Sequence, residues 1–220
     1  MPDTVRKRSP RFDDPINRLS QAITKLHSMW LSAVYPFASK GRNLSVHYTA
    51  LLDRRTAPAI KLGNSVIMRK DVWLNTFDLS KGDNELKIII EDNCVINAHC
   101  TISAKNSIHI ERDVMVSAGA LIMDHNHAYE DLNRPIKAQG LTPGGTIRIE
   151  QGCWIGHGAA IICGHGELVL GRNCVVAANA LVTRSFPAHS VIVGNPARLA
   201  RQFDPAKGTW VGGPTTTSLG

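Results

Sequence analysis

Large aromatic side chains are scarce: Phe, Trp and Tyr together make up 5% of the 220 residues. That scarcity argues against a core of interlocked rings and favours one filled by slim β-branched residues. No apolar run approaches the roughly 18 residues needed to span a bilayer. No signal-peptide pattern precedes the first turn signal, so a cytoplasmic location is the expectation. Cys-x-x-Cys pairs are missing and the cysteine total, five, is odd, which excludes a disulfide framework. Neither an aromatic-basic interleaving nor a helix-turn-helix pattern occurs, so nucleic acid is not an expected partner. A dinucleotide fingerprint is absent too: Gly156-His157-Gly158 opens one, but Ile161 stands where its third glycine belongs.

What is present describes an ordinary globular chain of one domain with a short appendage. Hydrophobic residues make up 43% of it, and the mean hydropathy is −0.09. Twenty-five Lys and Arg against 18 Asp and Glu leave a net charge of +7. Such a surface favours anionic partners, among them phosphorylated small molecules.

Residues 1–14 are polar and carry Arg6-Lys7-Arg8. From Ile16 a helical period follows through Leu19, Ile23, Leu26, Trp30, Val34 and Phe37, with Pro15 suited to the first turn and Pro36 to the end. It reads as an amphipathic helix packed on the main domain or a neighbouring subunit. A weak membrane-surface association through the same helix is the sharper alternative.

Beyond residue 60 the period becomes six. Ile60, Val66 and Val72 form one triplet; Ile90, Ile96, Ile102 and Ile110, Val116, Ile122 form the next two; Ile149, Ile155, Ile161 and Leu170, Val176, Val182 complete five. Neither a helix nor a flat strand repeats at six. A strand bent at regular corners does, three hexads closing one triangular coil, as in a hexapeptide parallel β-helix. The surpluses between triplets are 12, 2, 21 and 3 residues, so every insertion falls at one corner. The largest is the loop 128–148. Cys94, Cys100, Cys153 and Cys174 each lie four residues after a ladder residue, a slot for small buried side chains. This divides the chain into a basic segment and helix over 1–45, the β-helix over 46–187, and a segment and loose tail over 188–220.

Ile147–Arg201 contains Trp154-Ile155-Gly156, Ala178-Asn179-Ala180, Val182-Thr183-Arg184 and Gly194-Asn195-Pro196-Ala197-Arg198, and Asp124-His125-Asn126-His127 lies upstream. With these motifs the chain, over roughly 60–201, resembles the hexapeptide-repeat acetyltransferases, including the galactoside, maltose and exopolysaccharide O-acetyltransferases. The segment from Tyr35-Pro36-Phe37 through Asp71-Val72-Trp73-Leu74-Asn75 looks like the exopolysaccharide or surface-glycan branch. The resemblance implies an all-β, left-handed coil and a homotrimer with acetyl-CoA in clefts between subunits.

It also implies roles. Acetyl transfer to a hydroxyl calls for a general base near neutral pKa, which an imidazole supplies. His125 aligns with the family histidine, and His127 is the second candidate. Asp124 is expected to be structural, because neighbours in an extended chain point to opposite sides. Asn97 corresponds to an asparagine beside the acceptor hydroxyl. Trp154, Gly156, Ala178, Thr183 and Arg184 correspond to residues along the pantetheine and pyrophosphate, and Arg198 and Arg201 to cations near the nucleotide phosphate. A departure from the family lies between Ile161 and Leu170, where three extra residues include His165, read as loop.

The leading expectation is an acetyl-CoA-dependent O-acetyltransferase for a saccharide acceptor, with no metal. The alternatives are an N-acetyltransferase for a nucleotide-linked amino sugar, a zinc carbonic anhydrase drawing on His99, His125, His127 and His157, and a non-catalytic scaffold.

Overall fold

The computed structural model describes residues 15–77 and 85–212. The basic segment 1–14, part of the insertion after the second coil, and the end of the tail lie outside the described residues. The architecture is a parallel β-helix preceded by one helix, Pro15–Val34 (α1). Its strands form three sheets of six, nine and six strands, here faces A, B and C of a triangular prism.

Coils 2 to 6 span residues 60–76, 88–104, 107–123, 144–162 and 165–182, each crossing A, B and C in turn. Partners in register along each face are ladder residues: Ile90, Ile110, Ile149 and Leu170 on A, Ile96, Val116, Ile155 and Val176 on B, and Ile102, Ile122, Ile161 and Val182 on C. All twelve are fully buried. Branched side chains fill this axis because each must cover a narrow pleat without a ring's width. The third residue after most ladder positions on A and B turns the corner with positive φ, as Asn93, His99, Asp113, Asn173 and Asn179 do. Asn, Asp and Gly suit that conformation better than other residues.

The phase of the first triplet differs from the sequence reading. Leu62, Met68 and Leu74 pair with Ile90, Ile96 and Ile102, so they are the ladder residues of coil 2. Val66 and Val72 occupy the small-residue slots that Cys94 and Cys100 fill one coil later. All of these side chains are buried, so the apolar pattern alone cannot choose between two phases two residues apart. An additional coil, over 39–52, precedes coil 2 and pairs with it at Lys40–Leu62, Val46–Met68 and Leu52–Leu74. Its face A ladder slot holds a lysine, which hides the repeat.

The four corner cysteines donate their thiols to carbonyls of the following coil, for example Cys94 Sγ to the Glu111 oxygen at 3.0 Å and Cys100 Sγ to that of Ser117 at 3.1 Å. Burial pushes the Cys94 thiol up to about 12, so that group is packing rather than a nucleophile.

Two further segments differ from expectation. His165 begins a strand, His165–Leu170, paired in parallel with Gly144–Ile149 on face A. The three extra residues therefore extend that strand rather than loop outward. At the C-terminus Arg198–Asp204 runs antiparallel to Ser190–Val193, and Thr209–Gly212 pairs with it in turn, so the start of the tail is a hairpin.

Helix α1 is amphipathic, yet its apolar stripe faces away from the coils. Ile16, Leu19, Leu26, Met29 and Trp30 are more than half exposed. Contact with the coils is made by the polar side and the C-terminal end, where Leu31 and Phe37 are buried. No helix among the described residues is long and apolar enough to cross a membrane.

Candidate active site

The strand Leu121–Met123 carries Ile122 into the axis of coil 4, and the chain leaves face C immediately afterwards. Asp124 is fully buried there. Its carboxylate accepts the backbone N–H groups of Lys105 at 2.7 Å, Asn106 at 2.8 Å and Ser107 at 2.9 Å. These three residues form the short link between coils 3 and 4, so one side chain closes that corner. The fourth partner is His125 Nδ1, 3.0 Å away. A carboxylate can only accept, so Nδ1 is the donor of this pair, and in the neutral tautomer that fits it Nε2 is the acceptor. The sequence expectation that neighbours 124 and 125 diverge holds inside a strand; here the chain is already turning.

His125 is 4% exposed, with the edge of Phe77 against its ring at a centroid distance of 4.7 Å. The long loop is pinned at its root. Asn126 N–H donates to Thr142 Oγ1 at 3.0 Å, Thr142 N–H returns a bond to the Asn126 carbonyl at 2.8 Å, and Lys105 Nζ donates to the Thr142 carbonyl. Gly144 lies at φ +79°, and a Cβ there would stand 2.7 Å from the Asp124 carbonyl oxygen. The rigid corner and the pinned loop fix the imidazole within narrow limits. His127 is exposed and bridges to Leu141 across the loop's base, outside this arrangement.

The other candidates lie elsewhere. Asn97 sits at the B–C edge of coil 3, half-buried, its amide donating to the Val116 carbonyl at 2.9 Å. Trp154, 47% exposed on face B, donates Nε1–H to Ser117 Oγ at 2.9 Å. Gly156 is where the next coil approaches closely: a Cβ would meet Ala178 N at 2.6 Å. Ala178 is exposed on the same edge. Ser117-Ala118-Gly119, Gly156-His157-Gly158 and Ala177-Ala178 therefore give the B–C edge of coils 4 to 6 mostly small residues, interrupted by the exposed His157. Arg198 and Arg201 project from the strand beyond face B, Arg201 over the Trp210 ring at 5.9 Å. Thr183 and Arg184 follow face C of coil 6, on the C–A edge that also bears His125, and Arg184 stacks over Phe186 at 5.1 Å.

The candidate residues thus divide between two edges of one prism. His125, Thr183 and Arg184 line C–A; Asn97, Gly156 and Ala178 line B–C, with Trp154, Arg198 and Arg201 beside it on face B. Sequence reasoning missed Phe77 and the double role of Asp124. The aspartate directly before a histidine at a strand end was the available signal for the latter. Among the described residues no three His, Cys, Asp or Glu groups converge as metal ligands. His99 is held at its corner by Asp71, Nδ1 to Oδ2 at 3.4 Å.

A family model described as the hexapeptide repeat of succinyl-transferase matches residues 87–123 and 146–184. Over those residues the chain is similar to the hexapeptide-repeat transferases. Among its relatives is the Escherichia coli K12 protein WbbJ, named for lipopolysaccharide biosynthesis O-acetyl transfer, 27% identical over 56% of this chain and 64% of that protein. Mycobacterium tuberculosis Rv3034c, named for acetyl transfer, is 30% identical over 52% of this chain and 35% of its own length. The hexapeptide chain described here therefore spans less than two thirds of either relative. The fold matches that of AntD, an N-acyltransferase from Bacillus cereus crystallised with dTDP and coenzyme A, at a TM-score of 0.64, 18% identity and coverage of 78% of this chain and 86% of that one. It also matches the Vibrio cholerae acetyltransferase VCA0836 crystallised with acetyl coenzyme A, at a TM-score of 0.54, 23% identity and coverage of 69% and 76%.

Proposed function

We propose that this chain is an acetyl-CoA-dependent O-acetyltransferase acting on a saccharide or sugar-linked acceptor of surface-glycan synthesis, with His125 as the general base. The carrying observation is the buried Asp124–His125 pair, which leaves Nε2 as a free acceptor on a rigid coil. Nε2 takes the proton of the acceptor hydroxyl as its oxygen attacks. Asp124 holds the ring in the required tautomer and stabilises the imidazolium that forms, the logic of a carboxylate-oriented histidine base. The thioester donor supplies an activated acyl carbon and a good leaving group. The residues at hand suit it: the small residues of the B–C edge leave room for a slim pantetheine arm, Trp154 offers an apolar wall, and Arg184, Arg198 and Arg201 are cations for phosphates. Asn97 is placed to orient the acceptor. Because the two sets of residues lie on different edges, the working site forms where the C–A edge of one copy meets the B–C edge of another, in a homotrimer.

The test is CoA release across a panel of neutral, phosphorylated and amino sugars. His125→Ala is expected to lower kcat by about 10²–10⁴-fold, while His127→Ala stays within a few-fold of the parent. Full activity in His125→Ala would overturn the assignment of the base. A strong preference for amino sugars would move the reading to N-acetylation.

A further inference from the structure

A cavity of about 670 Å³ lies between the polar side of α1 and the B–C edge of coils 1 to 4. Among its described lining residues are three cations and no carboxylate. Arg69 and Lys70, at the corner of coil 2, line the cavity together with Lys25 of the helix and His47 of coil 1, and Ser20 and Thr24 offer hydroxyls. Asp71 is a neighbouring acid among the described residues, and it contacts His99. Burial holds the His47 imidazole below its ordinary range; Asp71 opposes this, and the nearby His27, Lys70 and Arg69 add to the lowering. Asn97 lines the same cavity. The small-residue groove assigned to the acyl donor continues along this edge from coils 4 to 6.

We propose that this cavity binds a phosphoryl group carried by the saccharide acceptor. The inference rests on the reading of Asn97 as an acceptor contact and extends it to the acceptor's chemical class. Adjacent coils are about 4.8 Å apart, so Arg69 and Asn97 lie within the span of one hexose phosphate, its hydroxyl end at Asn97 and its phosphate one coil away. A neutral sugar would bring Lys25, Arg69 and Lys70 no counter-charge. A phosphoryl oxygen set accepts from all of them and from the flanking hydroxyls. Hexose 1-phosphates, nucleoside diphosphate sugars and lipid-linked phosphosugars share this chemistry.

Titration calorimetry of inorganic pyrophosphate into the full-length protein tests the site, with CoA saturating so that the donor groove is filled. Arg69 and Lys70 are exposed, so R69Q/K70Q is expected to fold, as its melting temperature would show. The parent is expected to bind and R69Q/K70Q to bind about tenfold or more weakly, a loss consistent with two charge-assisted hydrogen bonds; K25Q should fall between them. Equal binding by parent and R69Q/K70Q, or no binding by the parent, would overturn the proposal. In turnover, R69Q/K70Q should raise KM for hexose 1-phosphate and UDP-hexose at nearly constant kcat while leaving a neutral hexose unaffected. An equal loss on neutral and phosphorylated acceptors would also overturn it. Calorimetry separates the two readings: variant-sensitive pyrophosphate binding without acetyl transfer to any acceptor supports the cavity and removes the transferase reading.

Discussion

Asp124 shows how one buried side chain can serve structure and chemistry together. It receives three backbone N–H groups from residues 105–107 and the imidazole of His125. Removing it orphans three donors in a buried corner, each costing about 1–3 kcal/mol. Asp124→Ala should therefore lower the unfolding midpoint in urea markedly and abolish activity. Asp124→Asn retains part of the corner but places an amide against Nδ1, and its activity should fall further than its stability. A parallel decline of both would show that the aspartate acts on the fold alone. His125 was legible in the sequence through the motif it carries. Its separation from His127 was not, because the divergence of the two rings depends on where the strand ends and how Thr142 pins the loop. Phe77 was invisible for a related reason: it follows coil 2, two coils away from His125 in the stack, and meets it only through the fold.

At the level of elements, the six-residue period revealed nearly the whole β-helix. Its weak points were positions where two phases bury equally well, as at Ile60 and Leu62, or where Lys40 interrupts the ladder. Helix α1 was recognisable by period but not by orientation, since amphipathicity identifies an apolar stripe and not what covers it. Leu31, 2% exposed, should cost about 2–5 kcal/mol on change to alanine, whereas Leu26, 67% exposed, should cost no more than about 0.5 kcal/mol. Urea unfolding of the two variants would distinguish this packing from an apolar face turned inward. Face A carries polar contacts instead, a hydrogen bond between His109 Nε2 and Glu91 at 2.8 Å and an ion pair of Arg148 with Glu111. Burial pushes the Glu111 carboxyl up, but the bonds from Arg148 and the Gln151 N–H outweigh it and hold the group below its usual range. The stability it adds is thus fully present above the ordinary glutamate pKa and is lost as pH falls through the lowered value. Melting temperatures measured from pH 6 to pH 3 should decline slightly less in Glu111→Gln. The effect will be small, because the Arg148 end is half exposed and solvent screens it.

For the whole molecule, the division of candidate residues between two edges has a direct test. His125→Ala and an R198Q/R201Q variant should each be nearly inactive alone. Mixed under conditions that exchange subunits, they should regain a measurable fraction of the parent rate, because some interfaces then combine an intact C–A edge with an intact B–C edge. Absence of recovery, despite exchange confirmed by native mass spectrometry, would place the site within one chain. In the sequence a cleft between subunits was implied only by the resemblance; which residues fall on which edge follows from the coil corners.

A stack of parallel coils has no built-in length, and its first coil would otherwise offer free backbone groups to any similar stack. Here side chains of the helical region occupy them. Ser28 Oγ accepts the Val46 N–H at 2.9 Å, His27 Nδ1 approaches the Val46 carbonyl at 3.1 Å, and Tyr35 Oη donates to the Leu52 carbonyl at 3.2 Å. The same helix that walls the cavity is therefore a stopper. Loss of these contacts would turn the first coil into a docking edge and a discrete particle into the seed of a fibre.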